Sequence, residues 1–65
     1  MTLLIKDGND TQVIPGVIWY SAWITNDYGW ELEYKEPVTL NGEVIGINKH
    51  TVVRREIPTV EILPE

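Results

Sequence analysis

The sequence predicts an all-β fold: a small single-domain antiparallel barrel or sandwich of five to six short strands. Three observations carry this. No segment keeps an apolar period of 3.6 over ten residues, as a helix would need. Turn-forming clusters recur at near-regular spacing, as in "DGND", "PG", "NDYG" and "NG". Between them lie short β-branched and aromatic runs, the residue types that fit a pleated, half-buried surface.

The elements follow in order. "LLIK" reads as a first strand, closed by the turn cluster "DGND" (Asp7 to Asp10). "TQVIPGVIWYSAWIT" is β-rich but is interrupted at Pro15-Gly16. Proline cannot donate to a ladder and glycine accepts unusual dihedrals, so this pair predicts a bend, bulge or strand break. "NDYG" is a turn in which Gly29 is expected to take positive φ. "WELEYKE" alternates cleanly, with Trp30, Leu32 and Tyr34 on a buried face and Glu31, Glu33 and Lys35 on a wet one. "PVTLNGEVIGIN" is a hairpin around Asn41-Gly42, the pair that suits a type I′ turn. An unbroken register would pair Leu40 with Glu43 and Val38 with Ile45, giving Val38, Leu40, Ile45 and Ile47 a common apolar face. "TVVRREI" and "TVEIL" form one strand broken at Pro58 or two short ones, and residues 63–65 read as a loose tail.

Sixty-five residues without cysteine make one domain that needs unusual support. A chain of about 60 residues buries only about 60% of the surface that it exposes when unfolded. Disulfides and thiolate metal sites are excluded, which leaves a dense aromatic and β-branched core or self-association. In strand count and length the chain is SH3-like or OB-like in size, an analogy of fold that carries no function. Ten acidic against five basic residues give a net charge of −5. Such a balance argues against direct binding to nucleic acid or to anionic membranes, both of which need surplus cations. The N-terminal residues lack the basic and apolar regions of a signal peptide, and no run of about 18 apolar residues appears. A cytoplasmic protein is expected.

Catalytic chemistry finds no constellation. Ser21 and His50 are present, but no nucleophile-elbow glycines surround Ser21. Glu31 and Glu33 share a solvent face, where carboxylates do not become acids or bases of use near neutral pH. The Asp7 segment fails the calcium-loop pattern, since the twelfth position is Ile18 rather than glutamate. There is no phosphate-binding glycine loop. The sequence therefore predicts no catalytic residue, no metal site and no cofactor.

The aromatic residues all fall between Val17 and Tyr34. Along "VIWYSAWIT", Ile18, Tyr20, Ala22 and Ile24 alternate with Val17, Trp19, Ser21, Trp23 and Thr25. Both sets are apolar, whereas a half-exposed strand has one polar face. Ile18, Tyr20, Ala22 and Ile24, together with Trp30 and Tyr34, are assigned to the core. Trp19, Trp23 and the turn residue Tyr28, with the nearby acids Asp27, Glu31, Glu33 and Glu36, are assigned to a contact surface. Tryptophan and tyrosine are enriched at binding hot spots. The expectation is a non-enzymatic acidic module, an inhibitor or adaptor, acting stoichiometrically on a protein partner with a basic surface, with nucleic-acid mimicry as its sharper form. The alternative is an assembly subunit, a homo-oligomer built through a spare apolar face or a sheet edge.

Overall fold

A computed structural model describes residues 1–27 and 29–64. It is all-β, with six strands: β1 (Thr2–Asp7), β2 (Asp10–Ile14), β3 (Trp19–Thr25), β4 (Gly29–Leu40), β5 (Glu43–Arg54) and β6 (Thr59–Leu63). They form two antiparallel sheets of three, ordered β2-β1-β6 and β3-β4-β5. No ladder joins the sheets among the described residues, so the barrel half of the expectation is not met. Nor are all the strands short, because β4 and β5 each run for 12 residues.

Local chemistry sets the turns as expected. Asn41 and Gly42 both have positive φ, 53° and 82°, the signature of a type I′ turn between tightly twisted strands. At the β1–β2 turn Gly8 has a φ of 61° while Asn9 stays negative, the type II′ pattern. Pro15-Gly16 ends β2, and Gly16 is left-handed at 72°. Pro58 separates two strands that belong to different sheets, β5 and β6.

The core is the set of side chains that the two sheets turn toward each other. Leu3, Ile5 and Ile14 come from one sheet and Trp30, Leu32 and Val52 from the other, joined by Val17 from the β2–β3 connection. Met1, Tyr20, Tyr34 and Val60 pack against this cluster. The connection is tied at both ends. Val17 N–H donates to Met1 O at 2.8 Å, and the Met1 amino group donates to Val17 O at 2.9 Å. Ile18 N–H donates to Lys35 O at 2.9 Å. No polar side chain is buried among the described residues.

Several assignments made from alternation are corrected here. Val17 is 1% exposed, while Ile18 and Ile24 are 51% and 69% exposed and Ala22 is exposed too. Val17 and Ile18 precede β3, so strand parity does not govern them. Ile24 lies opposite Trp30 on the core-facing side, but the core cluster does not reach it, although Tyr20 of the same strand packs against that cluster. In the β4–β5 hairpin, Leu40 does pair with Glu43, but Val38 pairs with Gly46 rather than Ile45. A bulge falls between Val38 and Thr39 on the β4 side, with Ile45 as the extra residue of β5. Ile47 therefore stands opposite Pro37, on the face away from Val38, and the common apolar face is not formed. Leu63 pairs with Thr2, so the tail expected at 63–65 is strand at its first residue.

The hairpin also sets the shape. β3 pairs with β4 only as far as the Trp19–Lys35 rung. Beyond it β4 and β5 continue alone as a two-stranded arm. Twelve residues at about 3.3 Å each span about 40 Å, matching the longest dimension of 40 × 23 × 15 Å. The radius of gyration, 13.1 Å, exceeds the value of about 11 Å expected for a compact chain of this length.

Gly29 starts β4 with a φ of 99°, and a Cβ built there would lie 2.1 Å from the Arg55 carbonyl oxygen. Gly29 is held in the β3–β4 ladder and Arg55 directly follows the last residue of β5, so the contact is backbone against backbone. Gly8 has a similar dihedral but open space around it. Gly8→Ala is expected to cost about 1–2 kcal/mol, the left-handed penalty alone. Gly29→Ala should cost clearly more, at least about 3 kcal/mol once the clash adds to that strain. Urea unfolding of both variants checks this, and equal losses would disprove the close approach.

Candidate functional site

The face of β3-β4-β5 that points away from the core is built from three rungs. Pairing aligns Trp19 with Lys35 and Lys49, Ser21 with Glu33 and Thr51, and Trp23 with Glu31 and Val53. Residues opposite one another on adjacent strands share a face, with Cβ atoms about 5 Å apart. The sheet therefore brings together four of the residues assigned to a contact surface: Trp19, Trp23, Glu31 and Glu33.

The two tryptophans are 41% and 39% exposed. Each is held by a charged residue of β4. Trp23 Nε1–H donates to Glu31 Oε2 at 3.0 Å. Lys35 Nζ stands 4.7 Å from the centroid of the Trp19 ring, a cation–π contact worth about 0.5–1 kcal/mol at an exposed site. Glu33 makes a long ion pair, 4.0 Å to Lys49 Nζ, and its side chain is 25% exposed. The rings lie four residues apart on one strand, about 13 Å, with small Ser21 between them. Ser21 and Glu33 form the rung between the two that carry the rings.

Charge is graded along the face. Lys35 and Lys49 occupy the Trp19 rung, while Glu31 and Glu33 lie on the Trp23 side. Asp27 sits in the turn beyond that acidic end. Glu36 is not part of this face. It lies on the core-facing side of β4, where Glu36 Oε1 is 2.8 Å from His50 Nε2, and the His50 ring stacks on Tyr34 with centroids 5.0 Å apart. Its nearness in sequence to the contact residues misled, because neighbours in a strand alternate between faces. Tyr28 lies outside the described residues. Lys35, Lys49, Thr51 and Val53 also belong to the face. The even spacing of Lys35 from Glu31 and Glu33 already marked it as a member, but the β5 residues needed the β4–β5 register.

Among the described residues, no group of three or more His, Asp or Glu side chains is placed to hold a metal ion, and no helix is long and apolar enough to cross a membrane. No family model matches the chain, and no curated protein or solved structure matches it either.

The distinction between core and surface tryptophan has a measurable consequence. Trp30→Ala removes a ring that is 4% exposed and should cost about 3–5 kcal/mol, enough to unfold a domain this small. Trp23→Ala should cost about 1–2 kcal/mol, since much of that ring is already in water and its hydrogen bond is a surface one. Denaturant unfolding followed by far-ultraviolet circular dichroism compares them. A loss at Trp23 as large as at Trp30 would make Trp23 a core residue and remove the contact surface.

Proposed function

We propose that this protein is a small binding module that acts stoichiometrically on a protein partner and performs no catalysis. It works as an inhibitor or adaptor through the outer face of β3-β4-β5, carried on a sandwich-like body. The observation that supports this reading is the pair of exposed rings, Trp19 and Trp23, on one face with Ser21 and Glu33 between them. Two large rings are half exposed yet held in place by polar partners, so little side-chain freedom is lost on docking. An arginine or lysine of the partner fits between them. It gains cation–π contact with the rings and donates a charge-assisted hydrogen bond to the Glu33 carboxylate, whose own ion pair is long. The excess of acid over the whole chain would speed the approach of such a basic surface. Mimicry of a nucleic-acid backbone draws no support from this face, because Lys35 and Lys49 interrupt its acids.

A second reading, a self-associating assembly subunit, is favoured by one separate observation. Among the described residues, 13 large hydrophobic side chains are exposed while seven are buried.

The binding reading is tested by affinity capture from source-cell lysate with the wild-type protein, Trp19→Ala/Trp23→Ala and Glu33→Gln. A partner retained by the wild type at low salt should be lost with the double variant. It should weaken by about tenfold, or about 1.4 kcal/mol, with Glu33→Gln. A captured partner indifferent to all three changes would move binding off this face.

A further inference from the structure

Each sheet ends in two edge strands, β2 and β6 in one and β3 and β5 in the other. An edge strand offers unpaired N–H and C=O groups to any extended chain, and natural edges are guarded by charge, proline, bulges or covering structure. Three of these edges are guarded by charge. β2 carries Asp10, β6 carries Glu61, and β5 carries Glu43, Lys49 and Arg54. β3 has neither charge nor proline from Trp19 to Thr25, and it runs in unbroken register with β4. Among the described residues it bonds β4 on one side and no strand on the other.

Two charges of β4 lean over this neutral edge, the same two that hold the tryptophans. Lys35 Nζ stands over the Trp19 ring, and Glu31 accepts from Trp23 Nε1–H. The outward side of the edge therefore carries a positive group at one end and a negative group at the other. A basic strand laid along it would satisfy Glu31 but oppose Lys35. A second copy of β3, turned through a two-fold axis, matches both.

We propose that two copies of this chain join along β3, antiparallel about a two-fold axis at Ser21, making one continuous sheet of six strands. The inference rests on the self-associating reading above and names its seam. In this register Trp19 of each copy stands opposite Trp23 of the other, with Cβ atoms about 5 Å apart. Lys35 of one copy then meets Glu31 of the other, twice per dimer. Aromatic pairs and opposite charges are both favourable cross-strand neighbours. On the core side Tyr20 stands opposite Ala22, large against small. One position beyond Trp23, Ile24 comes level with Ile18 of the second copy, and these are 69% and 51% exposed in the single chain. Moving the axis to Ala22 would lose the match, because Trp23 with its Glu31 would face Ser21 with its Glu33.

The remaining like charges stay apart. The two Glu33 residues lie on the Ser21 rung, three strand spacings or about 14 Å from each other. That exceeds the screening length of about 8 Å at physiological ionic strength. Each Glu33 also pairs with Lys49, on the side away from the seam. Glu36 likewise pairs with His50 of β5. A seam this short implies micromolar rather than nanomolar affinity.

Sedimentation velocity of the whole chain from about 1 to 500 μM, a span that brackets micromolar dissociation, tests this. The wild type should move from monomer to dimer. Ala22→Lys places a guard charge in the seam and should raise the dimer Kd by about tenfold or more. Its urea midpoint, measured where both proteins are monomeric, should stay level, because Ala22 is exposed. Lys35→Glu and Glu31→Lys should each weaken the dimer by about tenfold, and the double swap should return it to within about threefold of the wild type. Glu33→Gln, chosen above to weaken the partner contact, should leave the dimer intact. A wild type that stays monomeric throughout would overturn both this seam and the self-associating reading. A dimer indifferent to Ala22→Lys would keep self-association and overturn the seam. A double swap no better than the single ones would overturn the register.

Discussion

Everything in this molecule depends on one apolar contact, the packing of Trp30, Leu32 and Val52 over Leu3, Ile5 and Ile14. Each three-stranded sheet alone would leave that face in water, and neither would be stable. The contact is small. Fully buried aliphatic side chains contribute about 1.5–3 kcal/mol each, against an ordering cost of about 1–2 kcal/mol for every residue of backbone. The surrounding devices therefore matter more than they would in a larger domain. The Met1–Val17 pair of hydrogen bonds closes one end. At the other, Arg54 donates through a guanidinium nitrogen to the Gln12 side-chain oxygen, bridging β5 to β2. Lys6 and Glu61 form an exposed ion pair at 2.6 Å across β1 and β6, of the kind that usually adds little.

The same contact divides β4 into two halves. Residues from Gly29 to Lys35 have strands on both sides and the second sheet above. Their core-side residues are spent on folding, which leaves the opposite face free to present the tryptophans and glutamates. Past Lys35 the strand has only β5 beside it, and its core-side face has nothing above. One alternating strand is thus covered on its core side in its first half and uncovered in its second. The bulge at Ile45 increases local twist and breaks the alternation, which is how apolar side chains come to lie on both faces of the arm.

What the sequence made legible follows from how local each determinant is. The Asn41-Gly42 turn, the break at Pro15-Gly16, the positive φ of Gly29 and the two faces of "WELEYKE" depend on nearest neighbours, and all are present in the structure. The core membership of Ile24 failed because burial depends on how far the second layer reaches over a strand, and that of Ile18 failed because it lies before β3 begins. Val17 was assigned to the wrong face because parity holds only inside a ladder, and it lies two residues before β3 begins. The bulge left no local signal, since Val44, Ile45 and Gly46 read equally well in either register. On the outward face of β3-β4-β5, the shared side of Trp19 and Trp23 and that of Glu31 and Glu33 were legible by alternation, whereas Glu36 was grouped with them only by proximity in sequence.

Glycine content separates these two kinds of information most clearly. At Gly8, Gly16, Gly29 and Gly42 the residue answers to its own φ, and at Gly29 also to the Arg55 backbone. Gly46 answers to neither. No contact within the chain accounts for glycine at this position, which lies opposite Val38 in the arm. The body is thus explained by contacts that it makes with itself, whereas past Lys35 the arm has only its own two strands among the described residues.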